Sequence, residues 1–418
     1  MIDVIISENT RLAAGDQLLN IYSMGAVASA IAEKGMDVRC LDFMSDLRKD
    51  SSAPLGENSS EVCCYSVFFG NKVSAFRRMA DARRSKKPPR LMIAFGPFAA
   101  AFPEEILVKG LADIVVSHDP EFVIPAILHH GGRAPSLETI ANLSYKCGGE
   151  VVHTPKFSFQ DIDQVPFISP FLYDQGYRPA LMITARGCRN HCIFCDRNVL
   201  WGGGVRNRSI DHVIKEIKEL VEIQHAPDIQ FLDEDLSADH QRLASLCKGI
   251  RQIHGKFYWN ACSCIDSVNK KILLLMKHSR CRNIYFGIES ASERVLKRIG
   301  KTYGRKEILD AVRWSKEVGL GVGVMITNGN PGETDLDRKL TLATLNELGA
   351  DVEILENRLV ILPGTPFFYK GLREGWFTRQ SYFEDEGSIF YDEGGRKAGS
   401  APISHEDVKE AGRTLRGV

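Results

Sequence analysis

Short apolar runs alternate with amphipathic stretches along the first 135 residues. The runs are rich in β-branched residues and have the length of strands, whereas the stretches between them have the periodicity of surface helices. We predict strands at 3–7, 37–43, 61–69, 90–96 and 112–117. We predict helices at about 17–34, 71–84, 103–110 and 120–130. Apolar strands separated by helices indicate an α/β domain over 1–135, a doubly wound (Rossmann-like) parallel sheet covered on both faces.

A second alternation follows the first. We predict strands at 180–186, 228–235, 257–264, 283–290, 321–328 and 352–363. We predict helices near 209–224, 239–253, 267–279, 292–317 and 334–348, the fourth broken between Gly300 and Gly304. Six strand–helix units are too few for a complete eight-unit barrel, so we predict a partial (β/α)6 barrel over 179–366. The Gly, Pro and Ser content of 136–178 predicts a linker, and 367–418 is expected to close the barrel and continue as a polar tail from about Tyr391.

Composition limits the classes of partner. The 418 residues are enough for two or three domains, and 44% hydrophobic with 25% charged residues is typical of a soluble globular protein. Lys+Arg and Asp+Glu both total 53, so no global charge draws the chain to nucleic acid or to a membrane. The start MIDVIISENTRL has no signal-peptide pattern, and no apolar run approaches the roughly 20 residues of a membrane span. We therefore expect a cytoplasmic protein with neither partner.

Three of the eleven cysteines stand close together in RGCRNHCIFCDR, at Cys188, Cys192 and Cys195. Without export signals, metal or cluster ligation is a better interpretation of such a group than disulfides. The group follows the first predicted barrel strand, at the end where barrel enzymes place their chemistry. Iron–sulfur clusters usually take four cysteines, so three would leave one iron open. The alternative is a zinc loop whose fourth ligand is His191 or a distant cysteine.

This Cys-x3-Cys-x2-Cys spacing, with aromatic Phe194 before the last cysteine, resembles the radical S-adenosylmethionine (SAM) superfamily. The resemblance implies that the three cysteines hold a 4Fe–4S cluster and act in catalysis. The open iron of such a cluster binds SAM, and an electron from it usually generates a 5′-deoxyadenosyl radical. Phe194 would then pack near the adenine of SAM.

Further segments resemble the same superfamily, in barrel order, over about 180–366. They are FLDED (231–235), NIYFGIESASERVLKRIGK (283–301) and the glycine turn in VMITNGNPGET (324–334). The first resembles the acidic end of the second strand, and the second resembles the fourth strand with its following helix. Together with Phe194 they imply a SAM site formed by Asp233, Asp235, Gly287, Glu289, Ser290, Asn328, Gly329 and Asn330.

The doubly wound domain and LPGTPFF (362–368) resemble one branch, the cobalamin-dependent radical SAM enzymes. There Ser66 would end a serine-bearing strand, and Gly96 would allow close approach to the corrinoid. The chain departs from this pattern because it lacks Asp-x-His-x-x-Gly and has Phe98 where a histidine is usual. Two interpretations remain open: cobalamin bound without a protein ligand, which we expect, or a domain that kept the fold and lost the cofactor.

The third predicted barrel strand carries Cys262 and Cys264, the latter where relatives usually have an arginine two residues before Asp266. Alternate residues of a strand share one face, so both thiols could approach the substrate. The alternative is a pair of small core residues.

Taken together, the resemblance implies an enzyme that cleaves SAM to functionalise an unactivated carbon, foremost a cobalamin-dependent C-methyltransferase. A cyclase or rearrangement enzyme that transfers no methyl group is the second hypothesis, and a non-catalytic cluster or corrinoid sensor is the third. A methylthiotransferase is disfavoured, because no N-terminal three-cysteine domain or RNA-binding module is visible. The expected partners are a small-molecule or peptide substrate and an electron donor such as flavodoxin or ferredoxin.

Overall fold

A computed structural model describes residues 1–7, 14–43, 60–132 and 136–385. The predicted polar tail from about Tyr391 lies outside these ranges. The chain divides into two compact units. The first unit contains 1–182, 196–212 and the segment that begins at Arg379, and the second contains 183–195 and 213–378.

Most of the strands follow the two predicted alternations. Their bounds are β1 Ile2–Ile6, β2 Val38–Asp42, β3 Val62–Ser66, β4 Leu91–Phe95, β5 Ile114–Val116, β6 Leu143–Cys147, β7 Glu150–His153, β8 Ala180–Met182, β9 Ala185–Arg186, β10 Arg206–Asn207, β11 Asp228–Phe231, β12 Tyr258–Ser263, β13 Cys281–Glu289, β14 Gly321–Asn328 and β15 Glu353–Arg358.

The helices lie between these strands. Their bounds are α1 Ala14–Glu33, α2 Lys72–Arg84, α3 Pro97–Ala101, α4 Pro103–Val108, α5 Pro120–His129, α6 Ile168–Asp174, α7 Arg197–Trp201, α8 Ile210–Lys218, α9 His240–Arg251, α10 Lys270–His278, α11 Glu293–Ile299, α12 Arg305–Glu317, α13 Asp335–Leu348, α14 Pro366–Arg373 and α15 Arg379–Glu384. Short 3-10 helices occupy Ser136–Thr139, Ile162–Gln164 and Ile265–Ser267, and a π-helical turn occupies Glu219–Ile223.

A seven-stranded sheet in the order β2-β1-β3-β4-β5-β6-β7 forms the core of the first unit. Strands β1 to β5 pair in parallel, and the residues of β1, β3 and β4 are all buried. Burial on both faces is what a doubly wound sheet requires, and this confirms the predicted α/β class.

The structure adds an antiparallel hairpin, β6–β7, in the segment that the sequence predicts to be a linker. Its two-residue turn is Gly148-Gly149, and both glycines have positive φ (61° and 90°). Tight hairpin turns need such left-handed residues, so Gly-Gly fits here. The sheet is therefore mixed at one edge rather than wholly parallel.

In the second unit, β11 to β15 run parallel in the order β15-β14-β13-β12-β11. A helix follows each of the strands from β11 to β14, as the partial (β/α)6 prediction requires. Of the first predicted barrel strand, 180–186, residues Ala180–Met182 form β8, which belongs to the first unit. The predicted helix break is also present, because α11 ends at Ile299 and α12 begins at Arg305. None of the helices in the described part of the chain is long and apolar enough to cross a membrane.

Candidate active site

The three clustered cysteines lie on one loop of the second unit, 187–195, which we call the cluster loop. None of the three forms a disulfide, and all three are of intermediate exposure. The centre of the loop is fixed by two other segments: Ile193 donates its N–H to the carbonyl of Ile299 (3.2 Å) and accepts at its own carbonyl from the N–H of Phe367 (2.9 Å). These bonds hold the loop between the end of α11 and the start of α14.

Gly300, which follows the end of α11, packs directly on the cluster loop. Its φ is +87°, and a Cβ placed there would lie 3.0 Å from the carbonyl oxygen of His191 and 3.5 Å from Cα of Cys192. A side chain at this position would therefore be strained and would press on the cluster loop. The glycine break after α11 thus serves the site as well as the fold.

A polar network anchors the N-terminal half of the cluster loop to the end of β12. Asn190 Nδ2 donates to Sγ of Cys264 (3.1 Å), and Arg189 Nη2 donates to Oγ of Ser267 (2.6 Å). Asp235 completes the network, accepting from the N–H of Cys264 (3.2 Å) and from Oγ of Ser267 (2.5 Å). We call these five residues the Asp235 network.

Asp233 fixes the segment that enters the loop. Its fully buried carboxylate accepts from the N–H and Oγ1 of Thr184 (2.9 and 2.6 Å) and from the N–H of Ala185 (2.9 Å). Burial raises the pKa of Asp233, while the hydrogen bonds from Thr184 and Ala185 lower it, so the net shift is upward. The carboxylates of both predicted SAM-facing aspartates are therefore engaged by the chain itself.

The thiols are not gathered around a single point. Within residues 1–7, 14–43, 60–132 and 136–385, no three His, Cys, Asp or Glu side chains are placed to hold one metal ion. A four-iron cluster makes a different demand, because each cysteine binds a separate iron. Three partly exposed thiols on one anchored loop offer the three separate ligands that such a cluster needs.

Burial raises the pKa of the Cys188 and Cys192 thiols. The backbone N–H of Asn190 offsets part of the rise at Cys188, and the ammonium of Lys301 offsets part of it at Cys192. The thiolate is the ligating form of cysteine, so the N–H of Asn190 and the ammonium of Lys301 favour ligation, whereas burial opposes it.

Glu289 ends β13 in a left-handed conformation (φ +59°), which is uncommon for a residue other than glycine. Its Oε2 accepts from Oγ1 of Thr327 (2.6 Å), and its Oε1 lies 3.6 Å from Nζ of Lys301. Lys301 also donates to the carbonyl of Gly287 (3.2 Å), and the hydroxyl of Tyr303 donates to the same oxygen (2.5 Å). The structure thus brings Gly287 and Glu289 together around a buried cation.

Ser290 lies apart from this group. Its side chain is fully buried, and Oγ contacts Oγ1 of Thr341 (3.2 Å) and accepts from the N–H of Ser292 (3.2 Å). The hydroxyl thus links Ser292, which caps the start of α11, to Thr341 within α13. A contact between Ser290 and SAM stays a prediction.

The glycine turn after β14 is built around Glu333. The carboxylate of Glu333 accepts from the N–H groups of Gly329 (2.8 Å) and Asn330 (3.2 Å). Burial raises the pKa of Glu333, although these two N–H groups oppose the rise. Asn328 donates from Nδ2 to Oε1 of Glu356 (2.7 Å). The turn that is predicted to approach SAM is thus held by an internal carboxylate.

Phe194 and the pair Cys262 and Cys264 are the remaining predicted residues of the second unit, and their relation to the cluster loop differs. Phe194 lies in the cluster loop and is of intermediate exposure. Cys262 is within β12, whereas Cys264 follows the end of that strand. Cys264 is tied to the cluster loop, because its thiol accepts the hydrogen bond from Asn190.

The predicted corrinoid residues lie at strand ends of the first unit. Gly96 has φ +100°, and a Cβ there would lie 2.8 Å from the carbonyl oxygen of Val67. Ser66 is fully buried and donates its hydroxyl to Oδ1 of Asn20 (2.5 Å). Phe98, at the position of the usual histidine, is fully buried against the rings of Phe102 (4.8 Å) and Phe383 (6.1 Å). Position 98 is therefore part of an aromatic core.

Two contributors were missed at the level of sequence. Lys301 stands in the matched stretch 283–301, but nothing in the pattern shows that its side chain turns inward. Asn190 stands between two of the cysteines, and its partner Cys264 is 74 residues away. The only sequence signal for either residue is its position in a segment that already contains predicted site residues.

Residues 182–345 match the sequence profile of the radical SAM superfamily. This part of the chain is a radical SAM domain. An uncharacterized methyltransferase of Pyrococcus horikoshii is 30% identical over 61% of this chain and 58% of its own length. A putative methylthiotransferase of Methanocaldococcus jannaschii is 26% identical over 58% of this chain and 54% of its own length. The chain thus spans somewhat more than half the length of these relatives.

Two solved structures share the fold. One is the radical SAM methyltransferase TsrM from Kitasatospora setae with cobalamin and a 4Fe–4S cluster bound; it has a TM-score of 0.72 and 15% identity, covering 94% of this chain and 82% of that one. The other is the cobalamin-dependent SAM radical enzyme OxsB with aqua-cobalamin bound; it has a TM-score of 0.72 and 16% identity, covering 94% of this chain and 65% of that one.

Proposed function

We propose that this chain is a cobalamin-dependent radical SAM enzyme that transfers a methyl group to an unactivated carbon of its substrate. The observation that carries the proposal is the cluster loop, which presents three thiols and is anchored to neighbouring segments of a radical SAM domain. The shared fold of two cobalamin-binding radical SAM proteins supports the choice of branch.

In the second unit, Cys188, Cys192 and Cys195 would hold the cluster, which when bound supplies the electron for SAM cleavage. Asp233 and the Asp235 network would keep the loop in place. Glu289 would bind the amino group or ribose of SAM, and the turn at Gly329 would allow its close approach. Phe194 would contact the adenine.

In the first unit, Gly96 would allow a corrinoid to approach the strand ends, beside Ser66. Cobalamin when bound supplies a carrier for the methyl group. Phe98 is fixed in the aromatic core, so no ligand to cobalt would come from position 98. We therefore propose that cobalamin is bound without a side-chain ligand from this position.

The substrate is proposed to be a small molecule or a peptide, and the reductant a small electron carrier such as flavodoxin or ferredoxin. The enzyme is proposed to work in the cytoplasm, with neither nucleic acid nor membrane as a partner. Balanced charge over the whole sequence supports this choice.

Cofactor content tests the proposal. Cys188→Ala, Cys192→Ala and Cys195→Ala should each lose the cluster's iron and its absorption after anaerobic reconstitution. Cys147→Ser is the matched control, because Cys147 is exposed on β6. The native chain, incubated with hydroxocobalamin and passed over a desalting column, should retain the corrinoid. Full iron content in any one of the three alanine variants, or no retained corrinoid, would contradict the corresponding part of the proposal.

A further inference from the structure

Lys301 follows directly after the backbone that contacts the cluster loop. Gly300 packs on His191 and Cys192, and the carbonyl of Ile299 accepts from the N–H of Ile193. The start of the segment after α11 is therefore fixed against the cysteine-bearing loop. The origin of the Lys301 side chain is fixed with it.

The ammonium of Lys301 is turned into the unit, where only 9% of the side chain is exposed. Of its three donors, one is used by the carbonyl of Gly287 at 3.2 Å. The carboxylate of Glu289 lies at 3.6 Å, beyond an ordinary hydrogen bond, and the ring of Tyr303 is 5.7 Å away. A buried cation with so few hydrogen bonds is costly unless other negative charge lies nearby.

The carboxylate of Glu289 provides such a negative charge. Burial lowers the pKa of Lys301, but the carboxylate of Glu289 at 3.6 Å raises it, so that its pKa lies well above the ordinary value. The side chain therefore stays protonated throughout the physiological range. One positive charge is therefore held beside Glu289, one residue after the glycine that packs on the cluster loop.

We infer that Lys301 is a positioning residue whose ammonium raises the reduction potential of the cluster, an inference that rests on the proposed function. Three thiolates make the bound site negative, and reduction adds a further negative charge. A nearby cation favours the reduced state, and in a buried site its effect is weakly screened. Because the neighbouring Glu289 carries the opposite charge, it should act in the opposite direction.

A redox titration followed by the electron paramagnetic resonance signal of the reduced cluster tests the inference. Lys301→Met should shift the midpoint potential to more negative values, whereas Lys301→Arg should leave it near the native value. Glu289→Gln should shift it to more positive values, and the Lys301→Met/Glu289→Gln double variant should return toward the native protein. Lys297→Met is the matched control, because Lys297 is exposed on the preceding helix, where solvent and salt screen its charge.

An unchanged potential in Lys301→Met with full iron content would overturn the inference, as would a shift in Lys301→Arg as large as that in Lys301→Met. Should Lys301→Met fail to keep its cluster, Glu289→Gln decides: an unchanged or more negative potential there would also overturn it. Failure of the proposed cluster site is distinguishable, because the native protein would then give no reduced-cluster signal, and failure of methyl transfer alone would leave these potential shifts in place.

Discussion

The side-chain amide of Asn190 donates a hydrogen bond to Sγ of Cys264 at 3.1 Å. This bond joins the cluster loop to the end of β12, across 74 residues of sequence. It gives Cys264 a role as an anchor, without requiring the thiol to reach a substrate. The backbone N–H of Cys264 serves the same purpose, through Asp235.

Substitutions of Cys264 distinguish a thiol that anchors the cluster loop from a thiol that acts on the substrate. Cys264→Ser keeps an acceptor for Asn190 and should retain iron content and SAM cleavage, whereas Cys264→Val removes the acceptor and should cost about 0.5–1.5 kcal/mol of stability. Iron analysis, thermal melting and 5′-deoxyadenosine formation measure these effects. If Cys264→Ser kept its iron and cleaved SAM but lost the substrate-derived product, the thiol would act on the substrate.

Gly300→Ala should disturb the cluster loop. The added Cβ would be strained by φ +87° and would press on His191 and Cys192. Gly375→Ala is the matched control, because Gly375 has φ +70° and a Cβ added there would meet no atom within 4 Å. Both variants should lose about 1–2 kcal/mol from the left-handed backbone alone.

Only Gly300→Ala should also lower the iron content and alter the absorption of the reconstituted cluster. Equal iron content in the two alanine variants would show that the loop does not depend on this contact. Thermal melting of both proteins checks that the backbone penalty is comparable.

Asp235→Asn should weaken the hold on the cluster loop. The carboxylate accepts from Cys264 and Ser267 and lies 3.8 Å from Arg189, with 3% of its side chain exposed. Bonds to a buried charged acceptor are worth about 1.5–3 kcal/mol. We expect faster loss of iron on incubation with a chelator.

The control for this variant is Asp351→Asn, which removes an exposed partner of Lys316. Exposed ion pairs contribute little to stability because solvent and salt screen them, so chelation should proceed at the native rate. Asp235 would lose its assigned role if both variants released iron equally slowly.

Ionisation of Asp337 makes the stability of the second unit vary with pH in the acid range. Burial raises its pKa, but hydrogen bonds from Ser292, Thr334 and Arg294 outweigh that effect, so the folded-state pKa lies well below the ordinary value of about 3.9. The stabilisation is therefore present above that ordinary value and is lost as the pH falls toward the folded-state pKa.

Asp337→Asn should accordingly melt at a lower temperature than the native protein at pH 7. The difference should shrink as the pH is lowered below about 4, because the stabilisation is lost between the unfolded and folded pKa values of this carboxyl. Thermal melts at pH 7, 5, 4 and 3 measure this trend. A constant difference between the two proteins over that range would contradict the assignment.

The sequence predicts most of the architecture because the strong signals are local. Strand β14 coincides with the predicted 321–328, and the break at Gly300 separates α11 from α12 as expected. The hairpin at Gly148-Gly149 was missed although a two-glycine turn between short apolar segments is a hairpin signal. The small and polar residues of this segment are equally typical of a linker, so composition alone does not distinguish a hairpin from a linker here.

The site is less predictable, because long-range hydrogen bonds decide which polar groups remain free. Asp233 and Asp235 are expected from the sequence to face SAM, yet the structure engages their carboxylates with Thr184, Ala185, Cys264 and Ser267. The inward direction of Lys301 depends on the packing of Gly300, which no periodicity reports. Motif spacing therefore predicts which segments form the site, and the hydrogen bonds indicate what each side chain does there.

The central claim is radical SAM chemistry that depends on cobalamin. The most direct measurement is product analysis of the anaerobic, cluster-reconstituted protein supplied with SAM, hydroxocobalamin and a strong reductant. We predict 5′-deoxyadenosine together with S-adenosylhomocysteine, the latter only when cobalamin is present. Formation of 5′-deoxyadenosine alone would contradict methyl transfer and favour a cyclase or rearrangement enzyme. No cleavage of SAM at all, by a protein with full iron content, would contradict the enzymatic assignment.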